Sequence, residues 1–302
     1  MSDTRPPRNS TDGAGTLANI TDSSVLQAVQ SIQKGKVYSL DSQWWRAMPG
    51  HPVHPRFDVI TYRSPHGEQV QKDQDYLNPP QNTINYGFVS ELIMGTAHSG
   101  THIDALCHVT CGEGSTWHGG HSADEELGDF GALNSDAAAL PPIVAKGYML
   151  DIPAALGIDY CEESYAITGA DMQAAVDRQG IEIEENSVIL TRTGQMQFWP
   201  DMDALAVSVN SGVGMDGSHW LLDKKPVAVA ADNVAFEVAP SGVEGSSQPV
   251  HVHLIHEHAI PILEWVDCEE LAADGVYEFT FICLPLTVIG ATGSMVRPIA
   301  IV

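Results

Sequence analysis

Between positions 98 and 108 the chain reads His98-Ser-Gly-Thr-His102-Ile-Asp104-Ala-Leu-Cys-His108, four potential ligands or proton carriers within eleven residues. Two imidazoles and one carboxylate, from His98, His102 and Asp104, form a facial donor set that suits Zn, Mn or Fe and leaves coordination positions open for water. Gly100 lets the backbone pass close to a cation without a Cβ clash. Thr101 can bond a neighbouring backbone group or orient a ligand. On a helix, His98 and His102 would share a face at i, i+4, and Asp104 and His108 repeat that spacing. Histidine is often only a satisfied polar group, and a lone His-x-x-x-His arises by chance. Here the apolar flank, the glycine and the added Asp and His favour a metal site.

A second segment, His251-Val-His253-Leu-Ile-His256-Glu-His258-Ala-Ile-Pro-Ile-Leu-Glu264, crowds four histidines into eight positions. A helix would spread them over more than one face, so not all can reach one cation. His256 and His258 read best as solvated surface groups. Glu264 ends an apolar run, and a carboxylate buried there needs a partner; a metal or its water would serve. Cys107 and Cys111 lack zinc-knuckle spacing and a second pair, so they read as packing residues near the first segment.

These residues need a scaffold. Ser24 to Ile32 has a helical stripe, and Lys36 to Leu40 and Phe57 to Tyr62 read as strands. Tyr86 to Met94 is a further strand candidate, leading into the glycine-rich approach to His98. Thr101 to His108 looks helical or turn-like. The segment from Gly112 to Gly128 is too polar for a core and suits a loop over a pocket. Thr168 to Gln179 is helical, closed by Gly180. Ser187 to Thr191 and Pro226 to Ala231 read as buried strands, Gly217 to Leu222 as a helix start and His251 to Glu257 as helical. Tyr277 to Leu284 and Val296 to Val302 read as late strands. Interleaved strands and helices point to an α/β class. Residues 1–22, rich in Ser, Thr, Asp, Gly and Pro, read as a loose arm, and 23–302 as one domain.

Acids outnumber bases 39 to 14, a formal charge of −25, which repels phosphate backbones and anionic lipid and so excludes nucleic acid and membrane surfaces as expected partners. No stretch reaches the roughly 20 apolar residues of a membrane span, and Met1 to Gly15 lacks the apolar core of a secretory signal. Five scattered cysteines do not read as a disulfide framework, so a reducing cytoplasm is the expected compartment.

The first segment resembles the signature of the cyclase family of metal-dependent hydrolases, His-x-Gly-Thr-His-x-Asp-x-x-x-His, which includes bacterial-type kynurenine formamidases and isatin hydrolases. Other stretches agree: Tyr38-Ser-Leu-Asp41 followed by Met48-Pro49, Leu190-Thr-Arg-Thr-Gly194, Val213-Gly-Met-Asp216-Gly-Ser-His-Trp220-Leu, Ala231-Asp232-Asn233, Ile260-Pro-Ile-Leu-Glu264 and Gly293-Ser-Met-Val-Arg-Pro298. The resemblance implies a compact α/β domain with a central β-barrel-like mixed sheet flanked by helices, assembled as a homodimer or homotetramer. It implies one or two divalent ions, Mn or Zn. His98, His102 and Asp104 would hold the first, and His108 would be the proton donor and acceptor. In the two-metal formamidases Asp104 would bridge, with a downstream His and Glu264 completing the second site. The formamidase-like spacing is twelve, whereas His251 lies thirteen and His253 eleven positions before Glu264. His251 is favoured narrowly.

The implied activity is hydrolysis of a C–N amide bond in a small planar or cyclic amide, imide or isatin-like substrate, with a cation supplying activated water and His108 carrying the proton. Trp44 or Trp45 could stack on a planar ring, and Phe198, Trp199 or Trp220 could wall the pocket; core packing is the alternative for each Trp, and an equal one for Trp220. His118 and His121 could reach substrate, although exposed loop residues are commoner. The rivals are an arylformamidase acting on N-formylkynurenine and a non-catalytic metal- or ligand-binding protein.

Overall fold

The computed structural model describes residues 13–205 and 207–302. Its frame is a nine-stranded mixed sheet curled into a half-barrel. The strands are β1 (Val37–Ser39), β4 (His102–Asp104), β5 (Ile143–Asp151), β6 (Val188–Arg192), β7 (Ala228–Ala231), β8 (Ile262–Glu264), β9 (Glu278–Cys283), β10 (Gly293–Met295) and β11 (Ile299–Ile301), while β2 (Asp58–Arg63) and β3 (Ser90–Met94) form a separate hairpin. The spatial order is β1-β11-β9-β5-β6-β7-β8-β4-β10. The middle four, β5 to β8, run parallel, and the flanks are antiparallel.

Parallel strands are covered on both faces, and their sequences say so. In β6, Val188 and Leu190 enter one core while Ile189 enters the other; in β7, Ala228 and Ala230 oppose Val229 and Ala231. One core gathers Leu17, Tyr38, Ile103, Trp117 and Phe281. The other is roofed by helix α3 (Gly169–Gln179), helix α4 (Met215–Asp223) and the segment Pro249–His251 that runs into a π turn, Val252–Glu257. Helix α3 begins in a capping box between Thr168 and Asp171 and ends at Gly180 with φ +64°, the left-handed position that favours glycine.

β5 and β9 approach closely at Gly147, where a Cβ would stand 2.3 Å from Phe279 Cε2 and 3.0 Å from Phe281 Cβ. Gly147→Ala should therefore destabilise the fold by about 1–3 kcal/mol, the usual cost of overpacking. A lower urea midpoint at unchanged m-value checks it; an unchanged midpoint would show that Phe279 moves aside freely.

Three expectations need correcting. First, the loose arm expected over 1–22 is packed from residue 13 onward, residues 1–12 lying outside the described residues. Leu17 is buried, Thr16 Oγ1 donates to Val227 O at 2.8 Å, and helix α1 (Asp22–Gln30) starts on a Thr21 cap. One apolar anchor outweighs polar neighbours. Second, Thr101 to His108 is a strand followed by a turn. Third, the polar segment Gly112 to Gly128 sends Trp117 into the core through the short pair Thr116–Trp117 and His121–Ser122. Among the described residues no helix is long and apolar enough to cross a membrane.

Candidate metal centre

In β4, His102 and Asp104 lie two residues apart, so the pleat turns both side chains to one face. Glu264 of β8 is the direct cross-strand partner of His102, which brings His102 Nε2 to 3.4 Å from Glu264 Oε2 and 3.6 Å from Asp104 Oδ1. The strand period of two therefore does what the helical period was expected to do. Beyond β4 the chain turns, with His108 N donating to Ala105 O, and His108 Nε2 returns to 3.9 Å from Asp104 Oδ1.

His98 arrives from the loop before β4. Its Nδ1 is 2.8 Å from Asp104 Oδ1, its Nε2 is 2.9 Å from Thr292 Oγ1, and its ring stacks on His108 at 4.0 Å between centroids. The loop is held from behind. Thr101 Oγ1 accepts from Ser42 N at 2.8 Å and donates to Trp265 O at 2.5 Å, and Thr101 N donates to Ser42 Oγ at 2.9 Å. Gly100 has φ +55°, and a Cβ there would meet Ser42 Oγ at 2.7 Å and Met48 Cε at 2.8 Å. The close approach that requires glycine is to these side chains, not to a cation. Gly100 O accepts from His102 Nδ1 at 2.7 Å, which fixes the tautomer and leaves the Nε2 lone pair facing inward.

From the opposite wall, His251 directs Nε2 to 3.1 Å from Glu264 Oε1 and 3.9 Å from Asp104 Oδ2. Its Nδ1 is held at 2.5 Å by Glu237 Oε1, and Glu237 also accepts from the backbone N–H groups of Val250 and His251. His253 points elsewhere, to Ser218 Oγ at 2.6 Å. Between His251 and Glu264 lies the π turn, whose i→i+5 bonding takes in one residue more per turn than i→i+4. A spacing of thirteen rather than twelve is thus absorbed without displacing His251.

Two overlapping donor groups result, His98–Asp104–His108 and His102–Asp104–Glu264, with Asp104 common to both. Asp104 Oδ2 is buried and has no hydrogen-bond partner among the described residues. A buried carboxylate oxygen without a donor, beside a second buried carboxylate and inward-facing imidazole nitrogens, is the environment a divalent cation fits. The charges are strongly coupled. Burial opposes ionisation of Asp104, but the charges of His108, His98 and His102 and the His98 hydrogen bond outweigh it and hold the carboxyl well below its ordinary range. Burial would lower His251, yet hydrogen bonds to Glu237 and Glu264 push it up to about 10. His108 is lowered to about 4, by burial first and by His98 and His251 next, against the attraction of Asp104.

These groups floor a cavity of about 410 Å³ whose walls include His54, Asn210, Val234 and Gln248. A neighbouring cavity of about 620 Å³ shares His51, His54 and His98 and adds Trp45 and Phe57. Both have the size of small-molecule sites. Of the five aromatics expected at substrate, only Trp45 lines either one, edge-on to Trp199 at 5.5 Å. Trp44 donates from Nε1 to Ser99 O at 2.7 Å and braces the His98 loop. Phe198 packs edge-on against Tyr160. Trp220 lies on α4 against Gly169 and Gln173 of α3, a helix–helix contact. His118 and His121 bond His256 O and Glu126 respectively.

Trp220→Ala should accordingly cost about 1–3 kcal/mol of stability and leave KM unchanged. A raised KM at full stability would return Trp220 to the substrate wall. Sequence reasoning passed over Glu237, His54 and Thr292. His54, stacked parallel to His98 at 5.5 Å, was signalled by the His- and Pro-rich loop, whereas Glu237 and Thr292 carry no local signal.

Known proteins agree with this architecture. The Cyclase family model matches residues 24–238. A solved structure described as a novel cyclase is 26% identical, covers 96% of each chain and superposes with a TM-score of 0.83. An isatin hydrolase bound to the product analogue thioisatinate is 17% identical over 94% of this chain and 99% of its own, with a TM-score of 0.64. Isatin hydrolase A from Ralstonia solanacearum is also 17% identical, over 94% and 98%, with a TM-score of 0.65. Among curated proteins no relative matches. With the family model matched over most of its length and the fold shared along nearly all of it, the chain belongs to the cyclase family.

Proposed function

We propose that the chain is a metal-dependent hydrolase that opens the C–N bond of a small planar or cyclic amide, with an isatin-like ring as the favoured class. The observation that carries this reading is the convergence of His98, His102, His108, His251 and Glu264 on one cavity around Asp104, whose Oδ2 is buried and lacks a donor among the described residues. His98, His102 and Asp104 would hold one ion, and Asp104, His251 and Glu264 a second, Mn or Zn suiting the donors equally. When bound, the cation supplies Lewis acidity to water and to the substrate carbonyl.

The chain's residues do the rest. His108 Nε2 accepts the proton of the attacking water and returns it to the leaving nitrogen, so that a C–O bond forms, the C–N bond breaks and the imidazole is restored. Its stacking on His98 fixes the ring plane during both transfers. Gly100 O and Glu237 hold the imidazoles of His102 and His251 in one tautomer. Trp45 at the outer cavity gives a planar ring a face to stack on.

Likeness in fold to isatin hydrolases supports the cyclic-amide reading. The arylformamidase reading gains from the geometry, because the odd spacing of His251 no longer counts against a second ion. Apo protein reconstituted with Mn or Zn and offered isatin, simple cyclic imides and N-formylkynurenine separates the readings. Ring opening of isatin or an imide is expected; turnover of N-formylkynurenine alone would make it a formamidase, and metal uptake without any turnover a binding protein.

A homo-oligomer is part of the proposal. The β2–β3 hairpin exposes Tyr62, Ile93 and Met94, among others, and a two-stranded unit is marginal in water unless covered. A cytoplasmic site is the companion proposal, supported by five free cysteines.

A further inference from the structure

The histidines left over by the central site are not scattered. Beyond His251, the π turn carries His253 and Glu257 and is capped by His258. One ligand atom from each of His253, Glu257 and His258 lies within 4.8 Å of the others. His219, on the neighbouring helix α4, brings its ring to 4.5 Å from His253, and the His258 ring is 4.9 Å from His253.

The backbone explains the grouping. In an α-helix a residue five positions on stands about 140° round the axis, so residues 253 and 258 would diverge. The chain leaves the π turn at His258 instead: its N–H bonds Ile255 O, its φ of −115° is no longer helical, and its ring comes to 4.9 Å from His253. Ser218 Oγ engages His253 Nδ1 at 2.6 Å, orienting a ring that is only 6% exposed and leaving Nε2 for the cluster. That is the arrangement by which an outer group fixes a ligating imidazole. Glu257 and His258 are exposed. Two ligands on one zinc stand at most about 4 Å apart, given metal–ligand bonds of about 2.0–2.2 Å, and rotation of these two free side chains closes the difference.

We infer that His253, Glu257 and His258 form a peripheral site for a Zn²⁺-class cation, separate from the central site. The imidazole-rich donor set selects Zn²⁺, Co²⁺ or Ni²⁺ over Mg²⁺ or Ca²⁺. A cation there ties residue 258 back to 253 and clamps the outer end of the segment whose inner end is His251.

The test is equilibrium dialysis of the full chain against Zn²⁺, followed by elemental analysis. The wild type should hold one equivalent more than His258→Ala or Glu257→Gln, both exposed positions. Asp104→Asn, impaired at the central site, should keep that equivalent. In the Asp104→Asn protein, Zn²⁺ should also shift the imidazole proton resonances of His253 and His258, and Mg²⁺ should not. Equal zinc in wild type and His258→Ala, or resonances indifferent to Zn²⁺, would overturn the proposal.

Discussion

His108→Ala should lower turnover by about 10²–10⁴-fold, the usual contribution of a positioned acid/base group, with bound metal close to the wild-type level. The geometry sets up a direct contest between two roles. His108 Nε2 is 3.9 Å from Asp104 Oδ1 and belongs to a donor group with His98 and Asp104, so it could ligate. Yet its side chain is 28% exposed, where those of His98, His102 and His251 are 5% or less. It follows β4 on a turn, whereas His98 sits in a loop braced from behind by Ser42 and Trp44. A proton carrier needs that access to substrate; a ligand does not. Metal content measured beside turnover decides: loss of both together would make His108 a ligand, and retained activity would remove it from the chemistry.

The second large effect concerns Asp104→Asn. In the wild type, saturating Mn²⁺ or Zn²⁺ should raise the melting temperature, since a ligand at about 1,000 times its Kd stabilises the native state by about 4 kcal/mol. For a chain of this size that corresponds to about 6–7 °C. The variant should lose most of this response. Its metal-free melting temperature should fall below that of the metal-free wild type, because the amide gives up the interactions with His98, His102 and His108 that hold the buried carboxylate ionised. The lost response separates a ligand from a structural residue. If Asp104→Asn melts lower without metal yet still responds to it, the carboxylate serves the fold instead.

How far the sequence disclosed this site depends on the reach of each interaction. His98, His102, Asp104 and His108 were legible because they fall in one short segment. Their geometry was misread: spacing at i, i+4 suggested a helix, whereas pairing of β4 with β8 and β10 makes a strand, a long-range hydrogen-bonding choice that local pattern cannot reveal. Helix α3 was legible nearly to the residue, since its Thr168 cap and Gly180 stop are local signals. The choice between His251 and His253 hung on one position; the fold turns His251 toward Glu264 and Asp104, and His253 toward Ser218. Trp220 was misassigned because a half-buried tryptophan looks alike at a pocket and between helices; Gly169, which lets α3 approach it, lies far off in sequence. Glu237 was invisible, an acidic residue whose partner is set by tertiary packing alone.

The pairing of β4 with β8 also bears on assembly. Four of the six groups, His98, His102, Asp104 and His108, sit on β4 and the chain beside it; the other two, His251 and Glu264, come from the chain's final quarter, beyond the last residue matched by the family model. No fragment ending before Glu264 carries all six groups, and β4 has no partner strand until β8 and β10 dock. Cation uptake during refolding is therefore a late, cooperative event, and a stopped-flow signal from a coordinated Co²⁺ would time completion of the sheet rather than collapse of its first half.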